Sequence, residues 1–215
     1  TLQDNNPAFE QATGNTGRDA TGAYTSTYHE NQTLTTTVIG KVAAADADGD
    51  NWQSVPLDMP RTPLAVTCDA KGGWWVAGVN SVISGSADRG KTWQTTDLGK
   101  DVQITTIQFH DEMHGIALGE FGLTVFTEDG GATWKAGPKI PDDFYPYAAL
   151  FKSRNEGWVS GIAGQILHTT DGGKSWSKQV NTTQAALNRL FMHDGKPYGV
   201  GAGGVIARLD GNTWR

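Results

Sequence analysis

The chain has 215 residues, a single cysteine, 28 glycines and a net charge of −6. One cysteine excludes an internal disulfide framework, and an acidic balance with no basic block argues against a nucleic-acid surface. No apolar run approaches the roughly 20 residues that span a bilayer, and the length suits one domain with a sizeable core.

Residues 1–32 are polar, rich in Asn, Thr, Gly and Asp, with weak strand signal. They read as a lead-in, a degraded repeat unit or a ring-closing segment. From residue 33 to residue 215 the chain repeats. The first unit ends in Ala45 to Trp52, where Asp46, Asp48 and Asp50 are spaced like a calcium loop. Asn51 and Leu57 stand where such a loop wants Gly and Glu, so the segment reads as a worn turn. Met59-Pro-Arg61-Thr-Pro63 then connects to the second unit.

That unit carries the clearest phrase, Ser86-Ala-Asp88-Arg-Gly90-Lys-Thr92-Trp93. The next two units repeat it as Thr127-Glu-Asp129-Gly-Gly131-Ala-Thr133-Trp134 and Thr169-Thr-Asp171-Gly-Gly173-Lys-Ser175-Trp176, and a worn copy ends at Trp214. The five tryptophans lie 41, 41, 42 and 38 residues apart. A period near ~40 residues with one turn phrase per unit predicts an all-β fold, a propeller of four-stranded blades. In the phrase, Asp accepts backbone N–H bonds to close a turn, Gly tolerates positive φ, and Trp is a large apolar plug. Asp88, Gly90, Trp93, Asp129, Gly131, Trp134, Asp171, Gly173 and Trp176 are therefore read as structural, pinning the hairpin between third and fourth strands.

Other slots align with the tryptophans. Cys68, Phe109, Phe151 and Phe191 fall in first strands, so Cys68 reads as a buried, inert thiol. Trp75, Ile116, Trp158 and Tyr198 fall in second strands, which end at Gly78, Gly119 and Gly161. His110-Asp-Glu-Met-His114 lies in a turn between strands, whereas the metalloprotease motif it resembles needs a helix and a Glu in the next position. No metal or cofactor is expected. The last unit stops one residue after Trp214, so its blade is expected to lack an outer strand unless the N-terminal segment supplies it.

The repeats resemble the BNR or Asp-box propellers over residues 33–215. Gly157-Trp158-Val-Ser-Gly161 followed by Gly164-Gln-Ile-Leu-His-Thr-Thr-Asp171 looks most like the photosystem II assembly and stability factor family and its bacterial relatives. That resemblance implies a larger ring of six or seven blades. It also implies a non-catalytic, extracytoplasmic scaffold or assembly factor for a membrane protein complex, itself not membrane-spanning. The photosynthetic members are known for an arginine-rich patch. This acidic chain has only seven Arg, so the expectation shifts to a bacterial relative serving another envelope complex.

Ligand sites of such folds usually lie on the face opposite the turn phrases, built from blade connections and from turns between second and third strands. Arg61, Asn80, Glu120, Phe121, Asp142, Asp143, Phe144, Tyr145 and Tyr147 are the partner-binding candidates there. Asp boxes also occur in sialidases, so a carbohydrate-binding or glycoside-hydrolysing propeller using Glu120 with Asp142 or Asp143 is the alternative. A sialidase clamp needs three convergent arginines, and within the repeats only Arg61 falls on that face.

Overall fold

The computed structural model describes residues 41–45, 52–141 and 143–215. The 1–32 segment and most of the first worn phrase lie outside them. The ends of that phrase pair in a hairpin, β1 (Lys41–Ala45) with β2 (Trp52–Pro56), Ala45 opposite Trp52.

Four antiparallel sheets follow in chain order. The first contains β3 (Pro63–Cys68), β4 (Trp74–Gly78), β5 (Val82–Ser86) and β6 (Gln94–Asp97). The second contains β7 (Ile104–Phe109), β8 (Gly115–Gly119), β9 (Thr124–Thr127) and β10 (Lys135–Ala136). The third contains β11 (Pro146–Phe151), β12 (Gly157–Gly161), β13 (Ile166–Thr169) and β14 (Ser177–Lys178). The fourth contains β16 (Leu187–His193), β17 (Lys196–Gly201), β18 (Ile206–Asp210) and β19 (Thr213–Trp214), with β15 (Val180–Asn181) added at its edge. First strands β3, β7, β11 and β16 neighbour one another in turn, so the sheets radiate as propeller blades.

The core lies between blades rather than inside them. Ala77 and Ile83 of the first blade meet Ile104, Ile107, Ala117 and Val125 of the second. Ile116 and Leu118 then meet Phe151, Val159 and Leu167, and Trp158 and Ile166 meet Leu187, Ala207 and Trp214. Blades sandwiched on both sides bury both faces of their middle strands, which is why β5, β8 and β12 are buried at every position. Such strands read as continuous small and apolar runs rather than as alternation.

The turn phrase has one geometry in three copies. Asp88, Asp129 and Asp171 each accept the backbone N–H of Thr92, Thr133 and Ser175 at 2.8 Å. Their other oxygen accepts the hydroxyl of the same residue at 2.7, 2.6 and 2.5 Å. At the head of the phrase, Ser86, Thr127 and Thr169 donate to the carboxylate and accept the N–H of Gly90, Gly131 and Gly173. Gly131 has φ +88°, and a Cβ there would stand 1.9 Å from the ring of Trp75 in the preceding blade. The glycine therefore serves blade stacking as well as the turn. Trp134 joins the same contact, with its ring 5.9 Å from Trp75 and 5.8 Å from Phe109.

Two expectations are corrected. The last blade has an outer strand: its shorter turn brings Trp214 itself into β19, opposite Leu209 of β18. The far side of β19 is capped by β15, which runs parallel to it and comes from the connection before the blade. Trp214 is fully buried, its indole N–H donating to Gln179 Oε1 at 2.9 Å. Cys68 is exposed rather than buried. It lies with Leu64 and Val66 on the β3 face away from the second blade.

Candidate functional site

The turns joining second and third strands share one backbone solution. Val79–Ser81, Glu120–Gly122, Ile162–Gly164 and Ala202–Gly204 each place two successive residues in the left-handed region. That is a type I′ arrangement, matched to strand twist and normally filled by Gly or Asn. The first left-handed slot holds Asn80, Phe121, Ala163 and Gly203. Phe121, at φ 56°, is the outlier: a bulky side chain there costs of order 1 kcal/mol. Its ring is nonetheless 53% exposed, so burial does not offset the cost.

These turns are laced to the blade connections. Gly122 N–H donates to Phe144 O and Ile140 N–H to Gly122 O. Ser81 and Glu120 both donate their N–H groups to the connection between the first two blades, at Val102 O and Gln103 O. The Glu120 carboxylate accepts Gln103 N–H at 2.9 Å and the hydroxyl of Tyr145. Burial, with Glu120 beside it, holds the Tyr145 phenol above its ordinary range. Tyr145 meets Tyr147 edge to face, with 6.0 Å between ring centroids.

The structure therefore brings Glu120, Phe121, Tyr145 and Tyr147 together. Their exposed surface is mainly Phe121 and Tyr147, extended by Ile162 at 48% exposure on the third blade's turn. Ile162 carries no sequence motif and is found only by its turn slot. Arg61 and Asn80 adjoin on the first blade, where Val79 N–H donates to Thr62 O. Arg61 is exposed and bonds only the neighbouring Pro60 carbonyl among the described residues. Asp143 is exposed at φ 48°, and Asp142 lies outside the described residues.

Phe144 is corrected. It is 1% exposed and belongs to the core between second and third blades, against Ile140 and Leu118. In a loop of acids and aromatics nothing local distinguishes the ring that turns inward. The Glu120 carboxylate is likewise committed to holding its turn and Tyr145, which its sequence context did not reveal.

The turn phrases occupy the other side, as do the turns between first and second strands. His110 N–H donates to His114 O, and Asp111 takes His114 Nδ1 at 2.8 Å. Burial holds His110 down to about 4, while its ring packs on Phe151 at 4.4 Å. A cleft of about 670 Å³ opens on this side, between the second and third blades. The aromatic patch is thus an open surface on the side opposite this cleft; a second cavity of about 540 Å³ borders Ala163 and Gly164, next to Ile162. Among the described residues no helix is long and apolar enough to cross a membrane.

Comparison with known proteins follows the same lines. A family model described as photosynthesis system II assembly factor YCF48 matches residues 91–205. The photosystem II assembly lipoprotein Ycf48 of a Synechococcus strain is 30% identical over 151 residues, 67% of this chain and 44% of that protein. The chloroplastic stability and assembly factor HCF136 of Oryza sativa is 30% identical over 148 residues, 64% of this chain and 31% of that one. The chain thus spans less than half the length of these curated relatives. Among solved structures, one of YCF48 bound to a D1 peptide superposes with a TM-score of 0.64 at 22% identity, covering 81% of this chain and 60% of that one. A virginiamycin B lyase from Staphylococcus aureus scores 0.66 at 17% identity, covering 83% and 63%, a likeness of propeller fold alone. With the family model spanning more than half of its residues, this chain belongs to the photosynthesis system II assembly factor YCF48 family.

Proposed function

We propose that this chain is a non-catalytic, extracytoplasmic propeller that holds an extended segment of a membrane protein while a complex is assembled or maintained. The observation that carries the reading is Phe121, kept in a strained backbone slot with its ring in solvent. Strain retained without burial points to a role outside the folded core. Exposed aromatic rings on a rigid frame are the usual anchors of protein interfaces. Glu120 ties the turn that carries Phe121 to Gln103 and to Tyr145, which packs on Tyr147.

Family membership supports the same reading, since the curated relatives are assembly and stability factors and one solved relative holds a D1 peptide. Relatives described as a lipoprotein and as chloroplastic favour an extracytoplasmic setting. With seven Arg in an acidic chain, the client fits an envelope complex better than a photosystem. The test is affinity purification of the cross-linked chain from gently solubilised native membranes. A stoichiometric membrane complex supports the proposal. Recovery of the chain alone, or with free glycans, counts against it.

A further inference from the structure

The cleft on the turn-phrase side is independent of the proposed partner face. One wall comes from the second blade, with Phe126 of β9, Lys135 of β10 and Pro138, and with His110 in the turn after β7. The other comes from the third blade, with Arg154 in the turn after β11 and Lys174 in the turn phrase. Its volume, about 670 Å³, lies in the range of small-molecule sites. Two hydrogen-bonded turns stiffen the rim, since Gly130 N–H donates to Met113 O and Gly172 N–H to Asn155 O.

The charge arrangement is unusual for a protein of net charge −6. The exposed side chains of Lys135, Arg154 and Lys174 make no ion pair or hydrogen bond among the described residues, yet all three border this one cleft. Three carboxylates also line it, Glu128, Asp129 and Asp171. Asp129 and Asp171 have their oxygens filled by the hydroxyl and amide donors of their own turns. These two keep their charge, so the three carboxylates balance the three cations, but their acceptor oxygens are taken. Of the six charged side chains, those left without an ion pair or hydrogen bond among the described residues are Glu128 and the three cations, whose donors stay open to the cleft. His110 adds a polar atom, its Nδ1 buried without a partner at the cleft wall.

We infer that the cleft binds a small oxyanion of the carboxylate or phosphate class, held by the open donors of Lys135, Arg154 and Lys174 beside the apolar wall of Phe126 and Pro138. Arg154 offers a planar fork suited to either group, and the lysines act as point charges. Binding of this kind weakens with added salt.

The test is calorimetric titration of the full chain with citrate, with inorganic phosphate, and with glycerol as the uncharged control. Saturable citrate or phosphate binding is expected, weakened at least fivefold by Arg154→Gln or Lys174→Gln and unchanged by Lys152→Gln outside the cleft. All three substitutions are at exposed side chains, and an unchanged melting temperature shows that the fold is kept. Preference for citrate over phosphate assigns the carboxylate class, and the reverse assigns the phosphate class. No saturable binding by either anion overturns the inference, as does binding that survives both cleft substitutions.

Discussion

Replacing His110 with Phe tests how the packing between blades controls stability against pH. Burial lowers His110 from 6.5 to about 4, opposed by Asp111 and reinforced by His114 and Arg154. The ring is therefore neutral in the folded protein. For a group depressed in this way, stability is fully present above pH 6.5 and is lost as pH falls toward 4, because the unfolded chain takes the proton first. One unit corresponds to about 1.4 kcal/mol, so falling from pH 7.5 to 5 removes at most about 2 kcal/mol. Partial solvent access to the ring reduces this to about 1–2 kcal/mol. His110→Phe removes the titration, keeps the ring contact with Phe151, and deletes a buried nitrogen that has no partner. Urea unfolding followed by tryptophan fluorescence at pH 7.5 and 5.0 reads the effect. The variant is expected to match or exceed the parent at pH 7.5 and to lose about 1–2 kcal/mol less on acidification. Equal acid losses in the two proteins would refute the reasoning.

Three further outcomes follow from the same geometry. Thr127→Val leaves the Gly131 N–H buried without its acceptor, and urea unfolding should show a loss of about 1–3 kcal/mol. Phe144→Ala should cost about 3–5 kcal/mol, because the ring fills the core between second and third blades; a near-neutral result would restore it to the surface. Asp88 and Asp129 are held down to about 2 by the backbone N–H and hydroxyl of Thr92 and of Thr133. In Asp171, slight burial works upward but the Ser175 and Thr169 donors outweigh it, again giving about 2. Their contribution is present above about pH 4 and lost as pH falls through 2, so Asp129→Asn should flatten the melting-temperature decline in that window.

Much of the blade was legible from the chain because its determinants are local. The Asp, hydroxyl and Gly positions of the phrase bond within eight residues of one another, so spacing alone predicts their partners. What the sequence leaves open depends on neighbouring blades. Gly131 is required by Trp75, 56 positions earlier, as much as by its own φ. Phe144 turns inward while Tyr145 stays near the surface, a choice made by the cavity between blades and not by composition. The parallel pairing of β15 with β19 joins segments 33 positions apart, Val180 opposite Thr213, and no turn signal marks it. On the candidate face, the turn slot of Phe121 was legible, but its strain appears only in the backbone.

The most direct test of the central claim is photo-cross-linking in native membranes, with a photoreactive residue at position 121 and, as control, at position 89 in the turn phrase on the other side. The account predicts a defined membrane-protein adduct from position 121, none from position 89, and loss of the adduct when Tyr147→Ser is added without a change in melting temperature. Adducts from position 89 alone, or from neither position in membranes that contain the client, would contradict it.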